Sequence, residues 1–150
     1  MKTLAAFFLL VSVCVAQSAR TSNFVVTAPD QATAKAMAEW AEVYRKSLSL
    51  EWFGDELPQW NQPCQVLVRY AQGNGGATRY VLENGEVFNW RMSIQGTQPE
   101  LTESVLQHEV MHTVLVSHFR AIMPRWFDEG VAMQNENPNA NAHFNQSFIF

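Results

Sequence analysis

Apolar and polar residues change rhythm several times along the chain, and each change predicts an element. Phe24-Val25-Val26-Thr27 reads as a short strand, which Ala28-Pro29-Asp30 breaks, with Asp30 suited to cap a helix. Ala34, Met37, Ala38, Ala41, Tyr44 and Leu48 then recur at helical spacing, so this helix lays one apolar stripe on a core and ends near Trp52-Phe53-Gly54. A loop through Pro58 and Pro63 leads to a strand over Gln65 to Tyr70, and Gln72 to Gly76 reads as a flexible turn. A hairpin follows: Thr78 to Glu83, the pair Asn84-Gly85, and a return arm from Val87 to Ile94. In that arm Phe88, Trp90, Met92 and Ile94 alternate with Asn89, Arg91 and Ser93, which predicts one buried and one polar face.

Thr97 and Glu100 have capping-box spacing, with Pro99 tolerated in the first turn, and a helix is expected from about Pro99 to Phe119. Pro124 opens a shorter helix to about Gln134, and the five Asn between Asn135 and Asn145 read as loop. The fold class these elements predict is α+β, a small mixed or antiparallel sheet covered by helices. With 150 residues, 47% of them hydrophobic and 16% charged, the chain has room for one compact domain and material for its core. The net charge of -4, with no basic stripe in the sequence, argues against nucleic acid as a partner.

The first residues read differently. Lys2 precedes an apolar run from Leu4 to Val15, and Cys14-Val15-Ala16 offers small residues for cleavage before Gln17. The run is short for a bilayer span, so residues 1–16 are expected to be a removed signal peptide, leaving no stable membrane span and a secreted or periplasmic domain over 23–150. Cleavage leaves Cys64 as the one cysteine, which excludes an internal disulfide, and its expected role is a small buried side chain.

The chemistry lies in the long helix. His108-Glu109-Val110-Met111-His112 is an H-E-x-x-H motif, and residues four apart share a helical face, so both imidazoles can reach one metal ion. Two imidazoles suit zinc, a catalytic zinc takes a third protein ligand and one open position, and Glu109 beside the first His can deprotonate a water there. His118, six residues after His112, falls away from that face.

Beyond the helix stands Arg125-Trp126-Phe127-Asp128-Glu129-Gly130-Val131-Ala132. H-E-x-x-H followed by Glu on the next helix resembles the gluzincins, the metallopeptidases of the thermolysin and aminopeptidase N kind. The string from Pro124 to Gly130 is similar to secreted bacterial peptidase MA-like domains. The resemblance implies a zincin-like fold, one Zn2+ per chain held by His108, His112 and Glu129, Glu109 as general base, and a peptide or protein substrate. Asp128 and Glu136 are candidates to support the ligands from behind, with a helix cap or a pair with Arg125 as the alternative for Asp128. Gly130 is expected to let the ligand helix approach the H-E-x-x-H helix closely.

In gluzincins an edge strand before the active-site helix binds substrate, and the resemblance gives that part to Asn89, Trp90, Arg91, Met92 and Ser93. The chain departs from the family in lacking a Tyr after Tyr80 to stabilise the oxyanion, with His143 the one comparable group downstream. Either the domain is C-terminally incomplete or another group acts. Zinc-dependent peptide hydrolysis is therefore the leading expectation; a zinc-binding but catalytically weak extracytoplasmic scaffold and a metal-free domain are the alternatives.

Overall fold

The computed structural model describes residues 16–134. The leader expected at 1–16 (all but Ala16), Glu136 and His143 lie outside the described residues. Two strands open the fold: β1 (Gln17–Arg20) pairs antiparallel with β2 (Phe24–Ala28), so the sheet begins ahead of residue 23, where the domain was expected to start. Helix α1 (Gln31–Phe53) follows, capped by the Asp30 carboxylate, which accepts from Thr33 N at 2.8 Å, and closed by Gly54 at φ 78°. Its apolar stripe is the expected one, with Ala34, Met37, Ala38, Ala41 and Leu48 buried.

The chain returns through β3 (Cys64–Tyr70), which lies parallel to β2, and then forms the hairpin of β4 (Gly75–Glu83) and β5 (Glu86–Gly96). Asn84 and Gly85 both take positive φ, 50° and 75°, as the type I′ reading requires. The fold is therefore α+β, with a five-stranded mixed sheet in the order β1-β2-β3-β5-β4. Its core is the inward set Phe24, Val26, Val66, Val68, Trp90, Met92 and Ile94, with Cys64 among them and its thiol pushed by burial up to about 12.

Two expectations for the hairpin change. The return arm β5 is interior, paired with β3 from Arg91 to Gly96 and with β4 on its other side, so Arg91, Met92 and Ser93 present no open edge. Among the described residues the edge strand on this side of the sheet is β4, with β1 at the other edge. A parallel β3/β5 pairing is what inserts the later strand between its neighbours, and residue periodicity carries no information about that order. The alternation in β5 also fails at Asn89, whose φ of 55° and the register shift opposite it mark a bulge. Val87 therefore packs on the core, Phe88 is exposed, and only Trp90, Met92 and Ile94 keep the buried face.

The long helix, α2, begins at Gln98–Glu100 behind the Thr97/Glu100 capping box, widens into one π turn at Leu101–Val105, and continues as Leu106–Phe119. Arg120 closes it at φ 50°. It is buried nearly all round, between α1, the inner face of β4 and β5, and the last helix, α3 (Arg125–Gln134). Both α1 and α2 cover the same face of the sheet, because the residues that alternate with the core set, Gln65, Leu67, Arg91 and Ser93, are exposed. Among the described residues no helix is long and apolar enough to cross a membrane.

Candidate metal centre

A helix buried on most sides has little tolerance for ionisable groups, yet α2 carries His108, Glu109 and Thr113 in its buried set. Each has a partner, Thr113 within the helix and the ionisable groups from neighbouring elements. Thr113 donates back to Val110 O at 2.7 Å within the helix. Glu109 meets β4, and the two histidines meet α3.

The histidines lie one turn apart with their Nε2 atoms 3.1 Å from each other. The opposite nitrogen of His112, Nδ1, is 2.7 Å from Asp128 Oδ1. A carboxylate accepts and does not donate, so Nδ1 carries the proton and Nε2 presents its lone pair. Burial pulls the His112 pKa down, but the hydrogen bond and charge of Asp128, followed by Glu109 and Glu129, outweigh it and raise the group above its ordinary value. Asp128 thus contacts His112, and Arg125 Nε lies 4.0 Å from Glu129 Oε1.

Glu129, next on α3, completes a triangle. Its Oε2 is 3.5 Å from His108 Nε2 and 3.9 Å from His112 Nε2. Four-coordinate zinc with bonds of about 2.0–2.1 Å separates its ligand atoms by about 3.3 Å. The three edges fall around that value, so two imidazole nitrogens and a carboxylate oxygen stand where one small cation can touch all three. The buried group His108, Glu109 and His112 likewise brings its donor atoms within 4.8 Å and can hold a metal ion. The donor chemistry of two neutral imidazoles with one or two carboxylates suits a divalent transition metal.

Glu109 itself is set by β4. The Thr78 hydroxyl donates to Glu109 Oε2 at 2.6 Å, with the Glu109 carbonyl 3.3 Å away. Two residues back on the same strand face, Gly76 lies under the carboxylate, where an added Cβ would come within 2.6 Å of Glu109 Cγ. Burial pushes the Glu109 carboxyl above the usual carboxylate range, against the opposing pull of Thr78, His112 and His108. Tyr80, the next residue in the same series, packs on Trp90 with ring centroids 5.4 Å apart. Its phenol is raised by burial and then by the charge of Asp128.

The sequence signalled His108, Glu109, His112, Asp128 and Glu129, and the fold brings them together. Of Asn89 to Ser93, Arg91, Met92 and Ser93 are paired on both sides of the interior strand, and Asn89 and Trp90 lie at the bulge before the β3 pairing begins. His118 stacks flat on Phe53, 3.7 Å between centroids, remote from the imidazole pair as expected. Gly130 departs from expectation: an added Cβ there meets nothing within 4 Å, so close helix contact is not its reason. Gly76 and Thr78 carried no sequence signal of their own, since only the docking of β4 on α2 connects them to Glu109.

Two outcomes test this geometry. Asp128→Asn should keep the fold and weaken metal binding by about 10–100-fold, measured by competition with a chromophoric chelator; unchanged affinity would mean that the His112 contact does not orient the ligand. Gly76→Ala should lower unfolding free energy by about 1–3 kcal/mol in urea titration, because Glu109 or the strand must move. Wild-type stability would show that the carboxylate sits elsewhere.

Comparison of the chain with family models, curated proteins and solved structures yields no match.

Proposed function

We propose that the protein is a zinc-dependent metallopeptidase in which His108, His112 and Glu129 hold the metal and Glu109 is the general base. The observation that carries the reading is the triangle of His108 Nε2, His112 Nε2 and Glu129 Oε2, with edges of 3.1, 3.5 and 3.9 Å, backed by Asp128 on the far side of His112. The resemblance of the H-E-x-x-H and Asp128-Glu129-Gly130 strings to gluzincins supports the same assignment. Zinc, when bound, supplies Lewis acidity, polarising a carbonyl and lowering the pKa of water to about 7.

The chain's own residues account for the proton traffic. Thr78 occupies Glu109 Oε2, which leaves Oε1, over Gly76, as the oxygen that takes a proton from the attacking water. A carboxyl raised by burial holds that proton long enough to pass it to the departing amine, whereas an ordinary solvated carboxylate would release it to solvent. Asp128 fixes the His112 tautomer so that Nε2 stays available. The missing Cβ of Gly76 keeps the strand close to the carboxylate.

The substrate backbone binds along the open edge of β4 by strand addition, beside Glu109. This gives the part first expected of Asn89 to Ser93 to the neighbouring strand. A leader over 1–16 exports the enzyme, and a sheet that begins at Gln17 is compatible with cleavage just before it.

The test is elemental analysis followed by a peptide cleavage assay. Wild type should carry one zinc per chain and His112→Ala none. Glu109→Gln should retain zinc and lose about 10²–10⁴-fold in hydrolysis. Zinc bound with no cleavage by wild type would favour a scaffold module; a folded wild type that takes up no zinc would remove the reading altogether.

A further inference from the structure

The proposed chemistry uses only the helix-covered face of the sheet. Among the described residues nothing covers the opposite face, and its centre is basic in a chain of net charge -4. Two cross-strand rows run toward the open edge: Gln65, Arg91 and Arg79 in one, Leu67, Ser93 and Ala77 in the other. Arg79 and Arg91 stand directly opposite each other. A depression of about 370 Å³ lies over them, lined also by Thr27, Gln65, Leu67, Ala77 and Ser93. Arg69 lines a neighbouring hollow of about 270 Å³. No Asp or Glu lines either one. Neither Arg79 nor Arg91 makes an ion pair among the described residues.

Like charges directly opposite across two strands disfavour the folded state, and a carboxylate between them would reverse the sign. The guanidinium pair also sits at the end of its row. Among the described residues no strand lies beyond Arg79, and a chain added to β4 would supply the next residue of the row.

We propose that Arg79 and Arg91 form a specificity site for an acidic side chain of the substrate. The inference rests on the reading that substrate adds to β4. Side chains of an added strand alternate between the two faces. Those level with Gly76 and Thr78 on the inner face meet Glu109 and the metal ligands. Those between them project to the outer face, level with Ala77 and Arg79, and the one in the row of Arg79 completes an opposite-charge cross-strand pair. The enzyme then prefers Asp or Glu at a substrate position adjacent to the one facing Glu109, and reads it from the far side of the sheet.

The test separates binding from turnover. Fluorescence anisotropy on zinc-loaded Glu109→Gln compares a labelled peptide with Asp at alternate positions and its Asn counterpart, and wild type is assayed for cleavage of both. The Asp peptide should bind up to about fivefold tighter. The advantage should shrink as salt rises, disappear in the added variant Arg79→Gln, and persist in part in Arg79→Lys. Because it removes a like-charge pair from an exposed position, Arg79→Gln should unfold at no lower temperature than its parent, which excludes misfolding as the cause. Equal binding of the two peptides, or an advantage that survives Arg79→Gln, overturns the inference even where wild type cleaves both. Arg79-dependent binding with no cleavage by wild type sustains the acidic site and overturns the peptidase reading.

Discussion

Burying ionisable side chains inside a helix that is covered on nearly every side is the constraint on which this structure turns. His108, Glu109 and His112 sit on a helix most of whose residues from Leu106 to Val116 are core, and a buried carboxylate or imidazole without partners costs several kcal/mol. The fold answers with one element per group. β4 brings a hydroxyl and a bare backbone to Glu109, and α3 brings Asp128 and Glu129 to the two imidazoles. The site is therefore part of how the long helix is packed, and the same contacts that reconcile its polar groups with burial also orient them.

That view explains why some of the molecule is legible in the sequence and some is not. The i, i+4 spacing of His108 and His112 is a local property of a helix, and so are the Asp30 cap, the Thr97/Glu100 box and the Asn84-Gly85 turn, all of which the structure contains. Glu129 and Asp128 were legible only through resemblance, because their approach to the histidines depends on how α3 folds back. Gly76 and Thr78 were not legible at all. Nothing in Gly75-Gly76-Ala77-Thr78 distinguishes a flexible turn from a strand pressed on a carboxylate until the docking of β4 is known. Strand order is the other gap. A hairpin pattern fixes that β4 and β5 are partners, but which of them pairs with β3 is decided by the crossover, and here it leaves β4 outermost. Asn89, in a left-handed conformation, breaks an alternation that the residue pattern alone presents as regular.

The two sides of β4 face differently charged groups. On the inner face the acids Glu109, Asp128 and Glu129 gather round two imidazoles, an arrangement that a cation completes. On the outer face the depression over Arg79 and Arg91 has no acid in its lining, an arrangement that an anion can complete. β4 is the element common to both: Thr78 faces Glu109, and Arg79, the next residue, faces the opposite side. A peptide added to this one strand is sampled on both faces at once, its backbone held by strand hydrogen bonds and its side chains sorted by parity. Under the proposed function, reaction and selection would be carried by alternate residues of β4, Gly75 to Glu83, with the register of strand addition coupling them. A slip of one residue would present each side chain to the wrong face, so an acidic side chain locked onto Arg79 would, on the proposed function, also fix which carbonyl stands over Glu109.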